Sequence, residues 1–304
     1  MEAPTSLGPP VRVAFGSLID YAGLFPPAQL PLERARVEYE AARAGPYAWM
    51  LGRFVIPAAS LPLQDRFDAA FSAIVDPSVD ALDRVAQLRG SGANIAALEI
   101  PLAKSVSQFR ERLSRDEILD VVGALEADIT VAGLRAIPAY LEIPRAQPWR
   151  GSVAETLDAI ARVGLGAKLR CGGAVAEAFP SVDEVATFIA AAQAAGVAFK
   201  ATAGLHHPVR HRDAASGFVM HGFLNLLAAA ALASRVTGDT LERIVAEEDP
   251  AAFRFDEESF LWRDQRVDLG ALERTRAEFF VGYGSCSFSE PVDDLTALGI
   301  LPAQ

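Results

Sequence analysis

Eight short apolar runs, separated by longer segments of helical character, constrain the fold of this 304-residue chain more than any other feature. They are Ser17–Phe25, Met50–Ile56, Ala70–Val75, Ile95–Leu102, Ile137–Ile143, Gly166–Cys171, Val197–Thr202 and Phe279–Ser285. Between them, Pro31–Ala44, Val79–Gly90, Ser105–Leu113, Ser152–Val163 and Val182–Ala195 place apolar residues at three- and four-residue spacing. Acids gather near their starts and glycines follow several of their ends, as helix termini prefer. Pro180-Ser181-Val182-Asp183-Glu184 spells out one such start: Ser181 can cap backbone amides, and two acids lie at the positive end of the helix dipole. Alternating strands and helices imply parallel strands joined by right-handed crossovers. Eight such units predict an α/β fold, a single (β/α)8 TIM-type barrel, over an open doubly wound sheet. No Gly-x-Gly-x-x-Gly follows the first strand, so nothing favours a dinucleotide fold, and no cofactor is expected.

Hydrophobic residues make up 51% of the chain, enough for one large core, and no linker divides it. Residues 1–304 are therefore expected to form one domain. Its one irregularity is a segment of about 238–277 before the last strand, with acidic runs at 247–249 and 256–258 and with Trp262. This insertion is expected to pack on the barrel exterior or to serve in a homo-oligomer contact. The net charge of −11 argues against nucleic acid or an anionic membrane surface as the main partner, since both need a basic footprint. Only Cys171 and Cys286 are present, too few for a disulfide framework and consistent with a reducing cytosol. Cys286 could face Cys171, but without a Cys-x-x-Cys both are expected to be buried structural thiols. The N-terminus has neither a positive nor an apolar region of the signal-peptide kind. The apolar stretch Gly217–Ala233 carries His221 and Asn225 and reads as a core helix, with His221 within it. A cytoplasmic location is expected.

Lysine is rare. Of 28 basic residues besides histidine only three are lysines, and two of these, Lys168 and Lys200, lie near the ends of apolar runs with a glycine a few residues further on. Arginine thus serves wherever a generic cation suffices, which leaves lysine for what guanidinium cannot do: lose a proton and attack a carbonyl. Anion binding by two ammonium groups is the simpler alternative. In a closed barrel, side chains alternate inward and outward, so Lys168 travels with Arg170 and Lys200 with Thr202. On adjacent strands the two lysines would lie roughly 4.8 Å apart at the backbone if level. Two ammonium groups so close repel, and one is expected to shed its proton near neutral pH.

Asp20, Glu99 and Glu142 each lie late in an apolar run, where an unpaired carboxylate is costly, so they are expected to face the lysines or Arg170. A purely structural ion-pair network would place them equally well. All four histidines fall between 206 and 221. His206 and His207 directly follow the seventh strand, and with His211 they could hold a metal, although Pro208 interrupts helical spacing and no His-Glu-x-x-His occurs. Anion binding or proton transfer suits this mixture of His and Arg better, and no metal is assigned. Glycine-bearing segments after the sixth and seventh strands (Gly172, Gly173, Gly204), together with Ser285, offer backbone amides and a hydroxyl to an anionic substrate group.

In this order the pieces resemble the deoxyribose-phosphate aldolase family of class I aldolases. Leu18-Ile19-Asp20-Tyr21-Ala22-Gly23-Leu24-Phe25-Pro26 is similar to that family's opening Ile-Asp-His-Thr-x-Leu-x-Pro. Phe199-Lys200-Ala201-Thr202-Ala203-Gly204 resembles its strand-seven Val-Lys-Ala-x-Gly-Gly, and Tyr140-Leu141-Glu142 its strand-five Ile-Leu-Glu. Ala167-Lys168-Leu169-Arg170-Cys171-Gly172 stands where the family has Ile-Lys-Thr-Ser-Thr-Gly, the strand of the Schiff-base lysine. The resemblance implies Lys168 as nucleophile and Lys200 as the neighbour that lowers its pKa. The family's strand-four aspartate falls near Ala97, leaving Glu99, two residues on, as its substitute. The phosphate-site segments also differ, Ala203-Gly204-Leu205-His206-His207 and Gly282-Tyr283-Gly284-Ser285-Cys286-Ser287, so the resemblance does not name the substrate.

The expectation is an aldolase-like lyase forming a Schiff base with a small carbonyl compound, phosphorylated or carboxylated. Lys168, Lys200, Asp20, Glu99 and Glu142 would be catalytic. Arg170, Gly172, Gly173, Thr202, Gly204, His206, His207 and Ser285 would bind substrate. The alternatives are a hydrolase or isomerase with a metal on the His206–His211 loop, and a sugar-acid or phosphate-binding barrel without covalent chemistry.

Overall fold

In the computed structural model, residues 7–102, 113–145 and 148–303 are described. The expected helix Ser105–Leu113 lies outside them except at its last residue. Eight parallel strands close into a barrel: β1 (Ile19–Tyr21), β2 (Leu51–Pro57), β3 (Phe71–Ile74), β4 (Ile95–Pro101), β5 (Ala139–Glu142), β6 (Gly166–Arg170), β7 (Phe199–Thr202) and the last strand, β13 (Phe280–Ser285). Seven lie within one of the eight apolar runs and β2 passes the end of its run by one residue, Pro57; each pairs with its sequence neighbours, β13 closing onto β1. The TIM-type barrel is thus present.

Helices α1 (Pro9–Phe15), α2 (Leu32–Ala44), α3 (Val79–Gly90), α4 (Arg115–Val131), α5 (Trp149–Arg162), α6 (Val182–Ala195) and α7 (Phe223–Leu232) accompany these strands. At α6, Ser181 accepts a hydrogen bond from the Glu184 amide while Glu184 accepts one from the Ser181 amide, a capping box that starts the helix where the acidic cluster predicts it. Gly196, with φ +65°, ends it in the left-handed conformation that glycine adopts freely. Helix α4 opens with the same box, from Ser114 and Glu117, and was not anticipated from spacing. His221 precedes α7 rather than lying within it. Its Nε2 is 2.7 Å from the Pro180 carbonyl, and burial pushes its pKa down to about 4. No helix among the described residues is long and apolar enough to cross a membrane.

Between α7 and β13 the chain forms α8 (Gly238–Ala246), the antiparallel sheet β10 (Phe253–Phe255), β11 (Ser259–Trp262) and β12 (Gln265–Asp268), and α9 (Leu269–Arg274). A small hairpin, β8 (His211–Arg212) with β9 (Val219–Met220), precedes α7. The sheet packs on α1, where the Phe15 and Phe255 rings lie 5.5 Å apart. Because α1 leads into β1, the insertion covers the end of the barrel where the strands begin. The last helix, α10 (Ser289–Ala297), follows β13.

Residues paired in register on neighbouring strands face the same side of a sheet. The pairs Asp20 with Gly284, Gly284 with Thr202, Thr202 with Arg170, Lys200 with Lys168, Lys168 with Glu142, Glu99 with Tyr140 and Ser72 with Ala97 therefore trace the inner wall. Their alternates Tyr21, Phe54, Phe71, Leu98, Leu141, Leu169 and Ala201 are buried among the surrounding helices. TIM barrel interiors are ordinarily filled by branched aliphatic residues. Here the inner wall carries charge.

Candidate active site

The two lysines are level: Lys168 on β6 pairs in register with Lys200 on β7. Both are buried, at 3% and 1% exposure. They do not meet as bare ammonium groups, because Glu99 on β4 lies between them. One of its oxygens is 2.7 Å from Lys168 Nζ, and the other accepts a short hydrogen bond from Lys200 Nζ. Lys168 also contacts Glu142 at 2.9 Å, and Lys200 contacts Asp20 at 2.6 Å. The five residues expected to be catalytic thus form one continuous network.

At Lys200 the neighbouring carboxylates, rather than the second amine, set the balance. Burial alone would lower the Lys200 pKa, but Asp20 and Glu99 more than offset it and hold the value above the ordinary 10.5. Burial likewise works against a Glu99 carboxylate, yet Lys168 and Lys200 together pull its pKa well below the ordinary 4.5. Glu142 is lowered too: burial opposes the charge, and Lys168 and Arg170 outweigh it. Both directions favour the ammonium form of Lys200 and the carboxylate form of Glu99.

Two members were not anticipated. Ser72 on β3, fully buried, donates to Glu99 at 2.6 Å and accepts from Lys200 at 3.4 Å. Arg53 on β2 donates its backbone N–H to Asp20 at 2.7 Å, with its guanidinium 3.6 Å from the same carboxylate. The signal that marked the acids, a polar residue inside an apolar run, was present for both. Gly52 makes the Asp20 contact possible, since a Cβ there would lie 2.4 Å from the carboxylate oxygen. Counting Arg53, Lys168, Arg170 and Lys200 against Asp20, Glu99 and Glu142, four cations face three carboxylates.

Toward the mouth, Arg170 holds Glu142 at 2.8 Å, and its side chain is 47% exposed. Thr202 shares its face. Gly172 and Gly204 pack on one another: a Cβ on Gly172 would lie 2.9 Å from the Gly204 Cα, and one on Gly204 would lie 2.9 Å from the Cys171 carbonyl. Gly204, with φ +68°, also needs a left-handed backbone. A Cβ on Gly173 would lie 2.6 Å from that of Ala178. Close loop packing therefore accounts for these glycines independently of any ligand.

Ser285 stands apart from the lysines. It pairs in register with Tyr21, whose hydroxyl reaches Glu38 on α2 at 3.0 Å, so it faces the outside of the barrel wall. The odd–even alternation of β13 gives the inner positions to Gly282 and Gly284 instead. His206 and His207 turn toward the last helix, their Nδ1 atoms 2.9 Å from Glu290 and 2.5 Å from Asp294. The His207 and His211 rings meet edge to face at 4.4 Å. Among the described residues, no group of three or more His, Cys, Asp or Glu could hold a metal ion. Both cysteines are free and buried, with Cys286 Sγ 3.8 Å from both ring nitrogens of His206.

No protein-family model matches this chain, and no curated protein matches its sequence. Solved structures do resemble it. A tetrameric deoxyribose phosphate aldolase from Aeropyrum pernix has a TM-score of 0.46 and 14% identity, over 66% of this chain and 80% of that one. Mandelate oxidase with (S)-2-phenylpropionate has a TM-score of 0.41 and 16% identity, over 86% of this chain and 81% of that one. Mandelate oxidase with 3,3-difluoro-2-hydroxy-3-phenylpropionic acid scores 0.38 at 14% identity, over 77% and 75%. At such scores the likenesses bear on no activity, and the barrel of this chain rests on its own strand pairing.

Proposed function

We propose that this chain is an aldolase-like lyase that binds a small anionic carbonyl compound as an imine on Lys168. One observation carries the reading: two buried lysines level on adjacent strands, both held by the single carboxylate of Glu99. Lys168 is the better nucleophile of the two by position. Lys200 is enclosed by Asp20, Ser72 and Glu99, whereas Lys168 is linked through Glu142 to the half-exposed Arg170.

The steps balance within the network. Lys168 gives a proton to Glu142, 2.9 Å away, and the freed amine attacks the carbonyl carbon. The proton returns to the departing hydroxyl, water leaves, and a protonated imine remains. Ammonium plus carbonyl becomes iminium plus water, so the charge held by Glu99 and Glu142 is the same before and after. The iminium then accepts the electron pair of the breaking C–C bond while a carboxylate, Glu99 or Asp20, takes the proton of the departing fragment's hydroxyl. Lys200, in contact with both, keeps the accepting carboxylate ionised until that transfer. The surplus cation of the inner wall and the exposed Arg170 favour a substrate with a carboxylate or phosphate.

Borohydride reduction in the presence of aldehydes, 2-oxo acids and sugar phosphates, followed by peptide mass spectrometry, tests this. The expected adduct is on Lys168 and is absent from Lys168→Arg. Failure to trap any adduct across the panel, or trapping on Lys200 or Lys104 instead, overturns the assignment.

A further inference from the structure

Glu142 joins a buried amine to a half-exposed guanidinium. One of its oxygens is 2.9 Å from Lys168 Nζ, and the other accepts from Arg170 Nε at 2.8 Å. Through this one side chain the nucleophile of the proposed imine is connected to the solvent side of the wall. On the basis of imine formation at Lys168, we propose that the substrate is a 4-hydroxy-2-oxo acid whose carboxylate is held by Arg170.

Reach favours a carboxylate next to the carbonyl over a distant phosphate. A single carboxylate, hydrogen-bonded at each end, already spans the gap between amine and guanidinium. In a 2-oxo acid the carboxylate is bonded to the same carbon that joins Lys168, so it falls within that span. A phosphate at the far end of a sugar stands several bonds further off. Donor supply agrees. Arg170 turns Nε and Nη2 toward Glu142, at 2.8 and 3.5 Å. A guanidinium has five N–H donors, so its outer edge, with Nη1, remains a planar fork of the kind that takes both oxygens of a carboxylate.

Charge is an independent observation in the same sense. Arg53, Lys168, Arg170 and Lys200 face Asp20, Glu99 and Glu142, which leaves one positive charge uncompensated. A carboxylate supplies one negative charge, whereas a phosphate monoester brings about two. The hydroxyl on C4 follows from the bond that breaks. With the imine at C2, the C3–C4 electron pair moves to the iminium and leaves a neutral enamine that still carries the carboxylate. Glu99 or Asp20 takes the proton of the C4 hydroxyl, and C4 departs as an aldehyde. Return of that proton to C3, followed by hydrolysis, releases a shorter 2-oxo acid and restores Lys168.

Borohydride trapping with pyruvate and with propanone, which has a methyl group in place of the carboxylate, tests the proposal. The ratio of the two adducts on Lys168, pyruvate over propanone, is expected to fall about tenfold or more in Arg170→Leu. Calorimetry with lactate, which has the carboxylate but no carbonyl, reads the same contact without an imine: binding is expected in the parent and lost in Arg170→Leu. An adduct ratio unaltered in that variant, or glyceraldehyde phosphate trapped in preference to pyruvate, overturns the carboxylate assignment and leaves imine formation standing. No adduct from any of these compounds, with lactate binding that still depends on Arg170, overturns imine formation and the 2-oxo acid substrate with it, while the carboxylate site stands.

Discussion

Glu99→Gln removes the one charge that separates two buried ammonium groups while keeping the shape of the side chain. Glu99 is 1% exposed and touches Lys168 with one oxygen and Lys200 with the other. Deleting one partner of a buried ion pair costs about 3–5 kcal/mol, because the remaining charge is left uncompensated. Glutamine retains one acceptor but turns an amide NH2 toward the second lysine, so the loss belongs at the upper end of that range. Urea unfolding at pH 7 measures it directly. The pH dependence has a definite sign. In the parent, the folded Glu99 pKa lies below 4.5, so its contribution is complete above that value and is lost as pH falls through the folded one. The folded Lys200 pKa lies above 10.5, so its contribution is complete below 10.5 and is lost as pH rises through the folded value. In the variant Lys200 stays buried with one carboxylate fewer, so its folded pKa falls and the deficit shrinks as pH rises through the lowered value. A loss below about 1 kcal/mol at pH 7 would refute the charge-bridging role of Glu99.

Three further outcomes are expected. Gly52→Ala places a Cβ 2.4 Å from the Asp20 carboxylate oxygen, so it should displace Asp20 and destabilise the fold by about 1–3 kcal/mol; a variant as stable as the parent excludes this. His221 should titrate near pH 4 by NMR, against an ordinary 6.5. Because the unfolded chain takes up that proton first, stability should fall by about 3 kcal/mol between pH 6.5 and 4, and titration near 6.5 contradicts the buried, neutral assignment. Lys168→Arg should abolish borohydride trapping while leaving the fold intact, since the guanidinium can pair with Glu99 and Glu142 but cannot become a nucleophile. Trapping retained in that variant excludes Lys168 as the nucleophile.

Much of the barrel was legible in the chain order, because strand and helix periodicity are local properties. The eight apolar runs, the start of α6 at Ser181 and the placement of Lys168 and Lys200 late in consecutive runs all follow from residues close in sequence. Helix α4 carries a local signal of the same kind, the capping box of Ser114 and Glu117. The parity of Glu99, Glu142 and Asp20 was also readable, since inward and outward faces alternate along each strand.

Only the closed barrel decided which of those inward residues touch. Register between strands brings Glu99 of β4 across to β6 and β7, adds Ser72 and Arg53, and turns Ser285 away while Gly282 and Gly284 face inward. Protonation was decided there as well. A sequence shows two lysines on neighbouring strands and suggests repulsion, but the field at a buried amine is summed over charges from five strands. In this interior the carboxylates win, and Lys200 is held as ammonium.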